Sequence, residues 1–206
     1  MMRFIAATGN KGKLKEIKEI LGSFPWEIIS MGDAGIQDEI EETGKTFEEN
    51  ALIKAGYIAG ITKEVVMADD SGLEVDYLNG EPGIYSARFA GEGASDGDKN
   101  KKILRLLEGV PFEKRTARFV CAVAVIFPDG ESFTVRGTCE GYIGEKPVGT
   151  NGFGYDPLFY MPEYQKTMAE MDIETKNRIS HRGKALRAMA EELKSRNRTE
   201  FCSNGL

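Results

Sequence analysis

The chain has 206 residues, 41% hydrophobic and 29% charged, enough for one large domain or two small lobes and unlike a disordered protein. Its net charge of −6 excludes a general basic footprint for nucleic acid, so an anionic ligand must be met by local cations. Three cysteines, Cys121, Cys139 and Cys202, form no CxxC pair. With no signal-peptide pattern and no apolar run of membrane-span length, they read as free thiols of a cytoplasmic protein.

Residues 3–8 read as a buried strand, followed by a helix with Leu14, Ile17 and Leu21 on one face. "WEIISM" is a second strand. The acidic loop "QDEIEETGK" leads into a helix over 46–61, whose apolar stripe is Phe47, Ala51, Ala55 and Ile58. "VVMADDSG" is a short apolar strand that is expected to stop on its two aspartates. Residues 78–95 read as a long glycine-rich loop, and a short helix follows over 97–108. "TARFVCAVAVIF" and "ESFTVRGTCEGYIG" are joined by "PDG", a hairpin signal. The first is apolar on both faces and belongs centrally in a sheet; the second alternates and is expected nearer an edge. "GTNGFGYDPLFY" is a glycine-rich loop into a short strand. One helix over 175–196 is expected to carry Ile179, Leu186, Met189 and Leu193, with a loose tail from about 197. Early alternation of strands and helices with a late hairpin predicts an α/β fold on a mixed sheet, in one domain spanning 1–206.

Five segments carry candidate chemistry. "TGNKGK" offers the Thr8 hydroxyl, the Asn10 amide, Lys11, Lys13 and the first amides of a helix, which suit phosphate oxygens. Two residues separate Gly9 from Gly12, so it is not a Walker A loop; a capped helix with solvated lysines accounts for the same residues. The acids at 39, 41 and 42 form either a solvated face or a source of one carboxylate for a hard metal. Lys54 lies beside Ala51, Ala55 and Ile58, so its ammonium either snorkels outward or enters an anion site. Asp69 and Asp70 can divide structural hydrogen bonding from metal or water chemistry, or make an Asx-turn with Ser71 before Gly72. Phe153 or Tyr155, on a glycine-flanked loop, can stack on a planar ligand; a plain turn ending in Asp-Pro accounts for the same residues. His181 is the one histidine of the chain and reads either as a structural cap or surface residue at a helix end or, with Lys176 and Arg182 nearby, as a contact to an anion or a carbonyl-rich ring; no spacing suits zinc.

These segments, in this order, closely resemble the inosine triphosphate pyrophosphatase family, the XTP/dITP diphosphatases. The resemblance rests on "TGNKGK", "EETGKTFEENALIKA", "ADDSGLEVDYLNGEPGIYSARFAG", "GTNGFGYDPLFY" and "ISHRGKAL", and reaches from the N-terminus to about residue 190. It implies an elongated mixed sheet with two α/β lobes flanking a central nucleotide-binding cleft, assembled as a homodimer. It further implies Mg²⁺-dependent hydrolysis of non-standard purine nucleoside triphosphates (ITP, dITP, XTP) to the monophosphate and pyrophosphate. Thr8, Gly9, Asn10, Lys11, Gly12 and Lys13 match the phosphate segment, and Lys54 a lysine of the same site. Glu41 and Asp70 match the Mg²⁺ positions, Asp70 also the proton acceptor, and Ser71 a substrate contact. Phe153, Gly154, Tyr155 and Asp156, with Lys176, His181 and Arg182, match positions around the nucleotide. Within that set, His181 and Arg182 are the candidate donors to a purine 6-oxo group, and Phe153 the stacking ring. A binding module without hydrolysis and a phosphatase releasing orthophosphate are the competing readings.

Overall fold

The computed structural model describes residues 2–196; the tail expected from about 197, including Cys202, lies outside the described residues. Among the described residues, seven strands form one mixed sheet: β1 (Met2–Ala6), β2 (Trp26–Ser30), β3 (Val65–Val75), β4 (Thr116–Ile126), β5 (Ser132–Ile143), β6 (Phe159–Met161) and β7 (Lys166–Thr167). Their order is β2-β1-β3-β4-β5-β6-β7. β1 runs parallel to both β2 and β3, whereas β5–β6 and β6–β7 are antiparallel. The helices are α1 (Lys11–Leu21), α2 (Phe47–Thr62), α3 (Asp96–Leu106), α4 (Ile173–Ile179) and α5 (His181–Ser195). None is long and apolar enough to cross a membrane.

The chain divides into two compact units: Met1–Asp70 with Cys121–Gly137 and Arg182–Leu206, and Ser71–Val120 with Thr138–His181. In the first, strand alternation builds two apolar layers. Phe4, Met67, Cys121, Val123 and Val125 pack with Ile17 and Leu21 of α1 and Leu186, Met189 and Leu193 of α5. The opposite layer joins Ile5, Val66, Ala68 and Ala124 to Ala51, Ala55 and Ile58 of α2. Burying alternate residues on both faces requires the continuous apolar run seen in β4. The core of the second unit gathers Leu73, Val75, Ile103, Leu107, Phe119, Ile143, Leu158 and Phe159. Cys121 and Cys139 are buried free thiols.

Two expectations need correction. β3 does not stop at Asp69 and Asp70 but runs on to Val75, so the two acids sit inside a strand. The strand can continue because their side chains find cations and an amide, and because Leu73 and Val75 resume the apolar pattern. The helix expected over 175–196 is two helices, broken at Ser180, whose backbone is extended at φ −64 and ψ 156. Serine bonds its own backbone neighbours readily and prefers helix ends to helix interiors. β5 lies nearer the sheet edge than β4, as its alternation indicates, but β6 and β7 cover it. The 78–95 loop also holds ordered turns: 3₁₀ helices span Asp76–Leu78 and Gly83–Arg88.

Gly149 shows how tightly the glycine-rich segment is packed. Its φ is +85°, and a Cβ there would lie 2.5 Å from the carbonyl carbon and oxygen of Ala169. Gly149→Ala is expected to cost about 1–3 kcal/mol, as overpacking against rigid backbone does. Thermal unfolding should register this as a Tm several degrees below wild type; an unchanged Tm would show that the segment yields at no cost.

Candidate active site

The first unit concentrates charge at the start of α1 and along β3. Asn10 caps α1, its Oδ1 accepting from the Lys13 N–H at 3.1 Å, and Thr8 Oγ1 accepts from the Asn10 N–H at 3.1 Å. The capped-helix reading of "TGNKGK" therefore holds for these two side chains. No acid occupies the first turn of α1, so its positive end is not neutralised, and Gly9 and Lys11 are exposed beside it. Lys13, one turn in, points its ammonium at Asp69 Oδ2, 3.0 Å away.

Asp69 is the hub of a buried ion network. Besides Lys13, its Oδ2 accepts from Arg182 Nε at 3.4 Å and Nη2 at 3.3 Å. Arg182 Nη1 donates to the Glu16 carboxylate. Asp69, Arg182 and Glu16 are 2%, 2% and 5% exposed, so all three charges lie in the interior. Burial alone would raise the Asp69 pKa; the cations of Lys13, Arg182 and Lys54 outweigh it and hold the carboxyl far below the usual carboxylate range. A folded-state pKa depressed in this way stabilises the fold above the unfolded value near 3.9, and the contribution is lost as pH falls through the folded value. Cys121 Sγ sits 4.0 Å from the same oxygen; burial and the Asp69 charge push its thiol up to about 12, so it is no nucleophile at neutral pH.

Asp70 faces a different set of partners. Lys54 Nζ lies 3.6 Å from Oδ1, and Asn50 Nδ2 donates to Oδ2 at 3.1 Å. Burial raises the Asp70 pKa and the nearby Glu42 adds to the rise, only partly offset by Lys54. Lys54 itself donates to Glu42 Oε1 and to the Asp69 carbonyl, both at 2.7 Å. Burial would lower its pKa, but Asp70, Asp69 and Glu42 raise it, so the ammonium stays charged. Of the two glutamates, Glu42 reaches Lys54, while Glu41 is exposed.

Asn50 is a site residue the sequence reading missed. It is fully buried, and its Oδ1 accepts from the Gly44 N–H at 2.8 Å while its amide holds Asp70. A Cβ on Gly44 would fall 2.6 Å from that Oδ1, so "EETG" ends in glycine to let the acidic loop close on α2. The available signal was a polar residue beside Ala51 on the buried stripe of α2.

The second unit holds the residues matched to positions around the nucleotide, apart from Arg182. Lys176 and Asp156 are buried and paired at 2.6 Å, and Asp156 Oδ2 also accepts from the Phe153 N–H at 2.9 Å. Lys176 Nζ stands 5.0 Å from the centre of the half-buried Phe153 ring. Gly152 makes room: its φ is +76°, and a Cβ would collide with Asp156 Oδ2 at 2.1 Å. The two candidate rings separate here. Tyr155 is a core residue whose hydroxyl donates to the Ser86 carbonyl at 2.8 Å, which leaves Phe153 as the ring with open surface. His181 is buried and stacked on Phe119, with ring centres 4.8 Å apart. Ser71 is half-buried on β3.

Residues 4–192 match the model of the Ham1 family. The chain belongs to the Ham1 family. It is 53% identical over 192 residues to the dITP/XTP pyrophosphatase of Desulforamulus reducens, covering 93% of this chain and 96% of that one. It is 51% identical to the dITP/XTP pyrophosphatase of Bacillus cereus, covering 94% and 95%. Among solved structures, the Staphylococcus aureus Ham1 protein superposes with a TM-score of 0.85 at 43% identity, covering 94% of this chain and 99% of that one. A Mycobacterium abscessus structure described as a nucleoside-triphosphatase, dITP/XTP pyrophosphatase, gives 0.74 at 42% identity, covering 91% and 98%.

The Ham1 chain tests its own ion network directly. Arg182→Ala leaves two carboxylates buried without their shared guanidinium, and is expected to cost about 3–5 kcal/mol in urea unfolding. Arg182→Lys keeps the charge but not the fork, and should recover part of that loss. An Arg182→Ala variant as stable as wild type would contradict the network.

Proposed function

We propose that this Ham1-family chain is a nucleoside-triphosphate diphosphatase that hydrolyses ITP, dITP and XTP to the monophosphate and pyrophosphate, clearing them from the cytoplasmic nucleotide pool. The observation that carries the reading is the unequal pair on β3, Asp69 bound by Lys13 and Arg182 while Asp70 faces Lys54 and the Asn50 amide. It occurs in a chain 51–53% identical to proteins named dITP/XTP pyrophosphatase.

The parts divide as follows. The open N-terminal amides of α1, with Lys11 and Lys13, take phosphate oxygens, and Thr8, Gly9, Asn10 and Gly12 shape that turn. Lys54 adds a cation at the same phosphates, and Ser71 a hydroxyl. Asp70 accepts the proton of the attacking water at a carboxylate oxygen that Asn50 holds in place. The resulting hydroxide adds to the α-phosphorus and the bond to the bridging oxygen breaks. Pyrophosphate departs with its charge met by the lysines.

Mg²⁺ is the metal we assign, by resemblance. Among the described residues no cluster of three or more His, Cys, Asp or Glu could hold a metal alone, and Mg²⁺ is commonly bound by one or two carboxylates with substrate phosphates and water. Glu41 and Asp70 would hold it, and bound there it would neutralise phosphate charge and polarise the phosphorus.

For the base, Phe153 stacks on the purine, with Lys176, Gly154, Tyr155 and Asp156 fixing the loop that carries it. A 6-oxo purine is distinguished from adenine by donors facing O6, and His181 is the candidate. Arg182 already serves Asp69 and Glu16, which favours a supporting role there over reading the base. A homodimer is the assembly we assign, by resemblance. A nucleotide sensor would need donors but no water-activating acid, so Asp70 favours the enzyme.

Product analysis in ¹⁸O-labelled water, with a panel of purine triphosphates and Mg²⁺, checks the reaction. ITP should give IMP and pyrophosphate in equal amounts, with label in IMP alone. Label in pyrophosphate would place attack at the β-phosphorus; IDP with orthophosphate would overturn the assignment.

A further inference from the structure

The loop that carries Phe153 is tied down by a helix that no motif pointed to. Gly154 is held on both sides of its backbone: its N–H donates to Asp96 Oδ2 at 2.6 Å, and its carbonyl accepts from Asn100 Nδ2 at 3.1 Å. Asp96 and Asn100 are four residues apart on α3, so they share one face of the helix and reach the same residue together. Gly154 has φ +64° and a Cβ there would meet nothing within 4 Å. Its left-handed conformation therefore comes without steric enforcement, and an unrestrained glycine samples many others.

Asn100 carries the argument furthest. It is 5% exposed, and its Oδ1 makes no hydrogen bond among the described residues. A buried amide that leaves its oxygen unsatisfied bears a desolvation cost, and the hydrogen bond it makes is the one to Gly154. Asp96 is oriented in turn by Lys99, 2.6 Å away. The Lys99 and Gly154 donors keep its carboxyl below the ordinary range against the opposing effect of burial. Behind the ring, the Phe153 N–H is bound by Asp156, itself paired to Lys176. The residue that presents the ring is thus fixed on one side by Asp156 and on the other by α3.

We propose that Asp96 and Asn100 are positioning residues that clamp the Gly154 peptide groups, so that the Phe153 ring is already in place when a purine arrives. The inference rests on the reading that Phe153 stacks on the base. Fixing one residue's backbone costs about 1–2 kcal/mol, so a site that has not ordered this residue in advance must do so on binding, roughly a tenfold loss in affinity. The loss falls on binding of every purine alike and spares the phosphate chemistry, which raises KM and leaves kcat in place.

Two variants and a rescue test it with two readouts. Asp96→Ala removes one tie on a partly exposed side chain; Asn100→Asp is isosteric but turns an acceptor toward the Gly154 carbonyl. Both should speed hydrogen exchange of the Gly154 amide in the substrate-free protein and raise KM for ITP and for XTP about tenfold at unchanged kcat. Asp96→Asn keeps an acceptor oxygen and should recover both slow exchange and low KM. Faster exchange with unchanged KM would overturn the proposal, as would a KM that rises while Gly154 exchange stays slow. If wild type hydrolysed no purine triphosphate while Gly154 exchange still depended on Asp96, the functional reading would fail and the tie itself would stand.

Discussion

A carboxylate with no exposed surface stays ionised only if cations are aimed at it, and Asp69 has two at bonding distance. That requirement organises the first unit. Lys13 brings the first turns of α1 to β3, Arg182 brings the start of α5, and Glu16 returns from α1 to the same guanidinium. Two helices far apart in sequence are thereby locked to one strand position. The same contacts fix the N-terminal end of α1, because Lys13 lies one turn from the Asn10 cap. Removing any partner leaves a buried charge uncompensated, a larger penalty than the pair's net worth.

One residue further along, Asp70 meets the opposite conditions. Lys54 lies 3.6 Å from it, the Asn50 amide donates to it, and burial leaves its ionised form disfavoured. Adjacent residues on a strand point to opposite faces, so the two acids occupy separate environments although they share a peptide bond. The fold stabilises the charge on Asp69 and disfavours the charge on Asp70. A carboxyl held at an electrostatic disadvantage is the sort of feature that activity retains at the expense of stability.

Much of this was legible in the sequence. Continuous apolar character placed β4 at the centre of the sheet, and the spacing of Ala51, Ala55 and Ile58 gave the buried face of α2. The five segments that resemble the diphosphatase family named most residues of both charged groups. What escaped depended on partners distant in sequence. Nothing local shows that Asp69 and Asp70 will be neutralised by Arg182, Lys13, Lys54 and Asn50, so the strand seemed to end on them. Ser180 looked like an interior helical residue because the apolar period continues on both sides of it. Tyr155 and Phe153 look equivalent on their glycine-rich loop; only the Ser86 carbonyl and the core around it tell them apart. Asp96 and Asn100 carry no local mark of the loop they hold.

The division of labour between the two aspartates is the central claim, and paired asparagine substitutions test it most directly. Thermal unfolding and ITP hydrolysis would be measured side by side for Asp69→Asn and Asp70→Asn. Neutralising Asp69 discards a charge the fold stabilises, so Tm should fall. Neutralising Asp70 removes a charge the fold disfavours, so Tm should hold or rise while turnover drops by about 10²- to 10⁴-fold. An Asp70→Asn protein that unfolded as early as Asp69→Asn, or that kept its turnover, would contradict the account.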